Sequence, residues 1–364
     1  MSAEDSEFLI LSPLALSGSN DQGDKSYSLF RDRKIPTLEE ENVDTLNTAH
    51  GQVRVAREGN PTGPAFVTFH DMGLNHLSNY KVITFQNSVI NSQTYNFQNF
   101  FNCQSMAPVL SHFSIYHINA PGQETGAEAI PADMPYPSME QLSEVVEYVC
   151  HNYGISSCIS LGSGLGANIL ARLAWRRPKL VEGLILINCD IQSAGWLEWG
   201  YHKVTMKNLG KATVLPEPAL EFLIWYHFGK VDGDQTRSSN RLAFSLKQYL
   251  QSNLQPANLA KLLDAYIKRN PLKLSREIAA NGKTVHGATR TLKMPVLNIV
   301  GELSPHVDAT VALNGRLDPA NCTWMKIREA GMVLEEQPEK ASEAIKLFLQ
   351  GLGYTLRKPK VFQP

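Results

Sequence analysis

No apolar run in the chain approaches the eighteen or so residues of a membrane span, which excludes a protein that crosses a bilayer by helices. Cysteine is scarce. Cys103, Cys150, Cys158, Cys189 and Cys322 are odd in number and have no C-x-x-C spacing. That excludes a disulfide framework and a thiolate metal cluster, and points to a reduced, cytoplasmic setting. An excess of one charge is also missing, with 34 Lys plus Arg against 35 Asp plus Glu, so nothing draws the molecule to nucleic acid or an anionic membrane. No secretory leader is expected either. The run Phe8 to Leu16 is broken by Ser12 and Pro13 and preceded by Glu4, Asp5 and Glu7. What is present is an ordinary globular composition, 43% apolar and 19% charged. The length suits two average domains or one large α/β domain with an insertion.

The organising stretch is Cys158 to Leu173. A short apolar run breaks at Gly162-Ser163-Gly164-Leu165-Gly166 and resumes with Leu165, Ile169 and Leu173 at a spacing of four. This reads as buried strand, sharp turn and helix. Two motifs share that setting. As G-x-S-x-G, the nucleophile elbow, Gly162 and Gly166 fit, but the nucleophile position is Gly164 and Ser163 sits one residue early. As G-x-G-x-x-(G/A), the dinucleotide fingerprint, Gly162, Gly164 and Ala167 fit.

The remaining chain arbitrates. Residues 1–37 mix Ser, Gly, Asp and Lys without periodicity and are expected to be a flexible lead-in. A hairpin through His50-Gly51 is predicted next, then a buried strand over Ala65 to Phe69 that ends in His70-Asp71-Met72-Gly73-Leu74-Asn75-His76. Two helical segments are expected between Tyr80 and Leu110, then a strand over Phe113 to Ile118. Ser138 is placed to cap a helix whose Leu142, Val145, Val146, Val149 and Cys150 share a face. After the strand Val181 to Ile187, no strand pattern appears until Val296 to Val300, so 191–290 reads as a helical cap insertion. A helix over about Val307 to Leu317, a strand over Thr323 to Ile327 and a helix carrying Ala341, Ala344, Ile345, Phe348 and Leu349 follow. Residues 353–364 form a short basic tail. This alternation demands a mostly parallel sheet covered by helices on both faces. The opening hairpin and the late insertion narrow it to the α/β-hydrolase fold, with core segments 38–190 and 291–352.

That fold expects Ser, Asp or Glu, and His on successive strand-end loops. Here the three positions read Gly164, Ser304 (in Gly301-Glu302-Leu303-Ser304) and Met332 after Gly331, and no histidine follows His306. The expectation is a degenerate triad and no catalytic residue. Glycine at 164 relieves the strained elbow, which holds a non-glycine residue at a penalty of roughly 1–3 kcal/mol. Ser163 points elsewhere and is expected to hydrogen-bond locally.

The chain resembles the N-myc downstream-regulated family of α/β-hydrolase-fold proteins, in an invertebrate-type form. The resemblance runs from about Thr45 to Tyr354. It rests on His70 to His76, Ala120-Pro121-Gly122-Gln123-Glu124, Gly164 to Arg172, Glu182 to Asn188, Gly195-Trp196, Leu317-Asp318-Pro319 and Phe348 to Tyr354. It implies a protein without hydrolase activity, acting in cytoplasmic signalling, stress response, differentiation and trafficking. The implied partners are other proteins and a small-molecule or lipid ligand, with no cofactor. One departure stands out. Many members carry a long phosphorylated Ser/Thr-rich tail, whereas this chain ends through Lys358 and Lys360 at Pro364, so control through such a tail is not expected.

Candidate pocket-lining residues are His70, Asp71, Gly73, Ser163, Leu165 and His306. Two rival readings stand beside this one. A hydrolase with relocated groups would draw on His70, Asp71, His76, His306 or Asp308. A dinucleotide enzyme would need Asp190 as its ribose ligand. His306-Val307-Asp308 reads as a loop and helix start rather than a metal site. The cap aromatics Trp196, Trp199, Tyr201, Trp225, Tyr226 and Phe228 read as core rather than cofactor box.

Overall fold

In the computed structural model the described residues are 42–76, 100–101, 103–195, 199–200, 209–231, 238–275 and 291–356, with backbone only at 238–239. The expected lead-in 1–37, the part of the expected helical region that falls in 80–99, and the tail beyond Leu356 lie outside them. So do Trp196 and Tyr201.

Eight strands build the sheet: β1 Val43–Thr48, β2 Gly51–Gly59, β3 Ala65–Phe69, β4 Ser114–Ile118, β5 Cys158–Ser163, β6 Val181–Ile187, β7 Val296–Gly301 and β8 Cys322–Ile327. Their order is β1-β2-β4-β3-β5-β6-β7-β8. The β1–β2 hairpin and the β2–β4 pair are antiparallel, and every later pair is parallel. Parallel strands need crossovers, and the helices supply them. These are α1 Ala107–His112, α2 Met139–Asn152, α3 Leu165–Arg176 and α7 Val307–Asn314; α8 Val333–Glu336 and α9 Pro338–Gly351 follow the last strand. Between β6 and β7 stand α4 Glu217–Phe228, α5 Ser238–Asn253 and α6 Pro256–Ile267, the inserted cap.

The start of α2 follows from its cap. The Gln141 N–H donates to Ser138 Oγ (3.3 Å) while the Ser138 N–H donates to Gln141 Oε1 (2.9 Å), a reciprocal capping box. Its Leu142, Val145, Val146, Val149 and Cys150 are all buried. One helix is shorter than its periodicity predicts. α7 ends at Asn314, and residues 315–317 continue as tight turns before Asp318-Pro319.

Two apolar cores sandwich the sheet. One joins α2, α3 and the cap to β2, β3 and β6; the other joins α1 and α9 to the opposite face. Of the cap aromatics, Tyr226 and Phe228 are core as expected, but Trp199 is not. It stands 47% exposed, with its N–H donating to the Gly195 carbonyl at 3.0 Å. The five cysteines are free thiols. None of the helices among the described residues is long and apolar enough to cross a membrane.

Candidate functional site

The loops at the carboxyl ends of β3, β5, β6, β7 and β8 meet beneath the cap. At their centre lies the elbow. Gly164 precedes α3 with φ 47° and ψ −110°, a conformation glycine adopts without the Cβ penalty. A Cβ on Gly166 would overlap the Phe69 carbonyl oxygen, so glycine there lets the turn lie directly on β3.

The space that a side chain at position 164 would fill is already taken. A Cβ built on Gly164 would collide with both carboxylate oxygens of Asp71. Asp71 Oδ1 accepts the Met72 N–H (2.7 Å), the Leu165 N–H (3.0 Å) and the Tyr226 hydroxyl (3.0 Å). The N–H of the residue after the nucleophile, paired with an N–H from the loop after β3, is the oxyanion hole of this fold. Leu165 and Met72 stand in those two places. The chain therefore keeps the two donors and fills them with its own carboxylate.

The second oxygen, Oδ2, accepts the Ser163 hydroxyl at 3.4 Å, so that side chain bonds across 92 residues rather than locally. His227 Nδ1 lies 3.7 Å from Oδ2, while its Nε2 donates to the Met72 carbonyl at 2.8 Å. Burial is the main influence on His227 and lowers its pKa, although Asp71 pulls the other way. His70 is pinned at both ring nitrogens. Nδ1 donates to the Asp71 carbonyl and Nε2 accepts the Ala120 N–H, each at 2.8 Å. One donor and one acceptor describe a neutral ring, and burial brings its pKa down to about 4.

A cavity of about 20 Å³ remains, lined by His70, Asp71, Leu74, Asn75, Ser163, Asn188, His227, Met332, Leu334 and Glu335. That is room for a single water. Met332 thus lines this cavity and Gly164 adjoins Asp71. Ser304 is turned to its own loop, where it accepts the His306 N–H at 3.1 Å. Of the candidate lining residues, His70, Asp71 and Ser163 reach the cavity. Gly73 packs under Leu223, Leu250 and Leu254 of the cap region, and Leu165 contributes its N–H. His306 sits edge-on to Tyr226 at 4.7 Å, and burial lowers its pKa.

The cap closes the site with the end of α4. Tyr226 and His227 reach Asp71 and Met72, and the Phe228 backbone lies against Gly331, where a Cβ would clash. Asn188 stitches the strand ends together, accepting the Gly301 N–H and donating to the Gly331 carbonyl, with φ 51°. Glu335 faces the same cavity, and burial pushes its carboxyl up to about 8. Sequence reading missed Tyr226, His227, Asn188 and Glu335. No local motif marks them; only the chain positions next to Gly229 and Gly331 hint at a crowded approach.

The features a dinucleotide needs are committed elsewhere. The α3 N–H at Leu165 belongs to Asp71, and Asp190 is held by Arg269 at 2.8 Å. Asn168 donates to the Asp190 carbonyl at 2.6 Å and accepts from Arg172 Nε at 2.8 Å, while Arg172 also pairs with Glu140 and the Asn270 carbonyl. This buried network ties α3 to the end of the cap. Among the described residues, no group of three or more His, Cys, Asp or Glu could hold a metal ion.

Solved structures with this architecture include an esterase from Thermogutta terrifontis, with TM-score 0.62 and 16% identity over 86% of this chain and 100% of that one. The enol-lactonase from Burkholderia xenovorans is similar at TM-score 0.60 and 14% identity, covering 84% and 100%. At such identities the likeness establishes the α/β-hydrolase fold. Sequence relatives go further. Protein NDRG1-B of Xenopus laevis is 37% identical over 312 residues, which cover 85% of this chain and 70% of that protein. Protein NDRG3 of Xenopus tropicalis is 35% identical over 313 residues, or 85% and 72%. The Ndr family model matches residues 43–91 and 81–356, spanning the hairpin, the filled elbow, the cap and the last helix. On that span, and on the identity to those relatives, the chain belongs to the Ndr family.

Proposed function

We propose that this protein is a pseudo-hydrolase that binds without reacting, and that it serves cytoplasmic signalling, stress response or differentiation through its surfaces. One observation carries the reading. The Asp71 carboxylate stands in the volume of the missing nucleophile and accepts both N–H groups that would otherwise stabilise a tetrahedral oxyanion. Acyl transfer needs that hole empty for the developing charge. Here a resident negative charge repels a second one, and the residual cavity admits no substrate. The degenerate positions Gly164, Ser304 and Met332 supply no nucleophile, acid or base in the usual chain order.

Binding is then left to the outside. The cap presents a groove of about 410 Å³ with Trp225, Val231 and Phe244, and one of about 620 Å³ lies between α6 and the 132–138 loop. Protein partners suit the first, where aromatic side chains can anchor an interface. A small-molecule or lipid ligand, if bound, belongs to such surface grooves rather than to the old active site. The near-zero net charge supports a role away from nucleic acid.

A second reading has one observation in its favour, since Ser163 Oγ and His227 Nδ1 both approach Asp71 Oδ2. Three such groups could form a relocated acid–base set. Treatment of native protein with a fluorophosphonate probe decides between the two. No labelling is expected; a labelled serine whose signal disappears on heat denaturation would establish the relocated hydrolase instead.

A further inference from the structure

We infer that β8 is a self-association strand, at which two copies of this chain pair antiparallel about a two-fold axis through Met325. β8 is the terminal strand of the sheet, and among the described residues none pairs with its outer side. Its backbone polarity follows from two bonds. The Val296 N–H donates to the Asn321 carbonyl, and the Glu302 N–H to the Ile327 carbonyl, so odd-numbered residues turn their peptide groups toward β7. By alternation, Cys322, Trp324 and Lys326 point their N–H and C=O groups outward. Unsatisfied strand edges are templates for another strand unless blunted by proline, bulges, a covering element or charged side chains, lysine above all, so Lys326 is the guard that a pairing strand must match. β8 has no proline, and its pairing with β7 runs without a break from Cys322 to Ile327.

The side chains choose the partner. Trp324 is 40% exposed, and the Lys326 side chain is 42% exposed. Two residues apart, they share one face of the strand with Cys322, which donates to Asn314 of α7 at 3.3 Å. In an antiparallel pair centred on Met325, Trp324 of one copy stands opposite Lys326 of the other, and the reverse. Both are outward-pointing residues, so each such pair exchanges both backbone hydrogen bonds. The same pairing sets an ammonium beside an indole twice, a cation–π contact repeated by symmetry. Lys326 keeps its carboxylate neighbour, Glu302 at 3.6 Å, so the charge is balanced as it is covered. A strand that matches itself in register, backbone and charge fits a second copy of the chain, the isologous contact of a two-fold dimer.

The test uses the full chain. Sedimentation equilibrium across the micromolar range should show a monomer–dimer equilibrium. Hydrogen exchange should slow at the Trp324 and Lys326 amides as concentration rises, while the Met325 amide, already facing β7, stays unchanged. Trp324→Pro removes one outward donor without touching the β7 ladder, and Trp324→Lys sets like charges opposite each other. Each should weaken association at least about tenfold, with far-UV spectra unchanged. A monomer at every concentration would overturn the inference, as would a dimer that both variants leave intact. Protection of these amides only by an added foreign strand peptide would also overturn it, assigning the edge to another protein. Should either variant fail to fold, the concentration-dependent exchange of the unaltered chain decides alone.

Discussion

At the elbow, ten consecutive residues of α3, Leu165 to Ala174, are buried, whereas on the cap α5 leaves Phe244 58% exposed beside half-buried Trp225. Both regions sit on the same side of the sheet, where ligands of α/β folds gather. They have opposite characters. The elbow is packed to contact, with backbone on backbone at Gly166 and a carboxylate in the nucleophile's volume. The cap surface keeps an open groove lined by Trp225, Val231 and Phe244. The difference teaches that the glycine turn is fixed by the strand, loop and helix packed against it, whatever chemistry it carries.

The comparison breaks most directly at Gly166. Gly166→Ala drives a methyl into the Phe69 carbonyl, a backbone group that cannot give way. A loss of more than about 3 kcal/mol is expected in urea unfolding. A near-neutral result would mean that the elbow is looser than its contacts imply.

Asp71→Ala comes next. It leaves the N–H groups of Met72 and Leu165 and the Tyr226 hydroxyl without their acceptor, and about 3 kcal/mol should be lost. Gly164→Ser should give a folded-state penalty of similar sign and no esterase activity, because its side chain meets Asp71 at a positive φ. The double variant Gly164→Ser with Asp71→Ala should be more stable than the sum of the two losses predicts, since the clash is removed. Activity in Gly164→Ser alone would show that the hole is not filled.

The buried ring network predicts an acid limb. His70 and His76 are both brought down to about 4, chiefly by burial, from an ordinary 6.5. The unfolded chain therefore takes up protons first, and the stability they contribute is complete above pH 6.5 and lost as pH falls toward 4. Each contributes about 3 kcal/mol over that window. A melting temperature flat between pH 7 and 4.5 would contradict this. Glu335 acts in the opposite sense and more weakly, being partly exposed. With its carboxyl raised to about 8, stability is present below pH 4.5 and declines as pH rises through 8. Glu335→Gln should raise the melting temperature at pH 9 and leave it unchanged at pH 5.

The smallest effect on stability belongs to the cap. Phe244→Asp should change it by no more than about 0.5 kcal/mol, while reducing capture of protein partners by the native chain. Equal capture by both forms would move the interaction surface off the α4–α5 groove.

Much of this molecule is written locally. Short apolar runs such as Ala65 to Phe69 and Val181 to Ile187, the Ser138 cap and the glycine-broken turn at Gly162 to Gly166 predict strand, helix and elbow, because each depends on neighbours within a few residues. Chain order alone assigns the candidate triad positions Gly164, Ser304 and Met332, so the proposal of an empty triad starts from the sequence. Only the tertiary structure decided what fills the site. Asp71 meets Leu165 across 94 residues and Tyr226 across 155. Those distances close only when the sheet is assembled and the cap is laid over it. A carboxylate on a strand-end loop reads equally as ligand, base or loop residue until its donors are in place. The same holds for Glu335 and His227, whose altered proton affinities come from burial, a property no window of sequence contains.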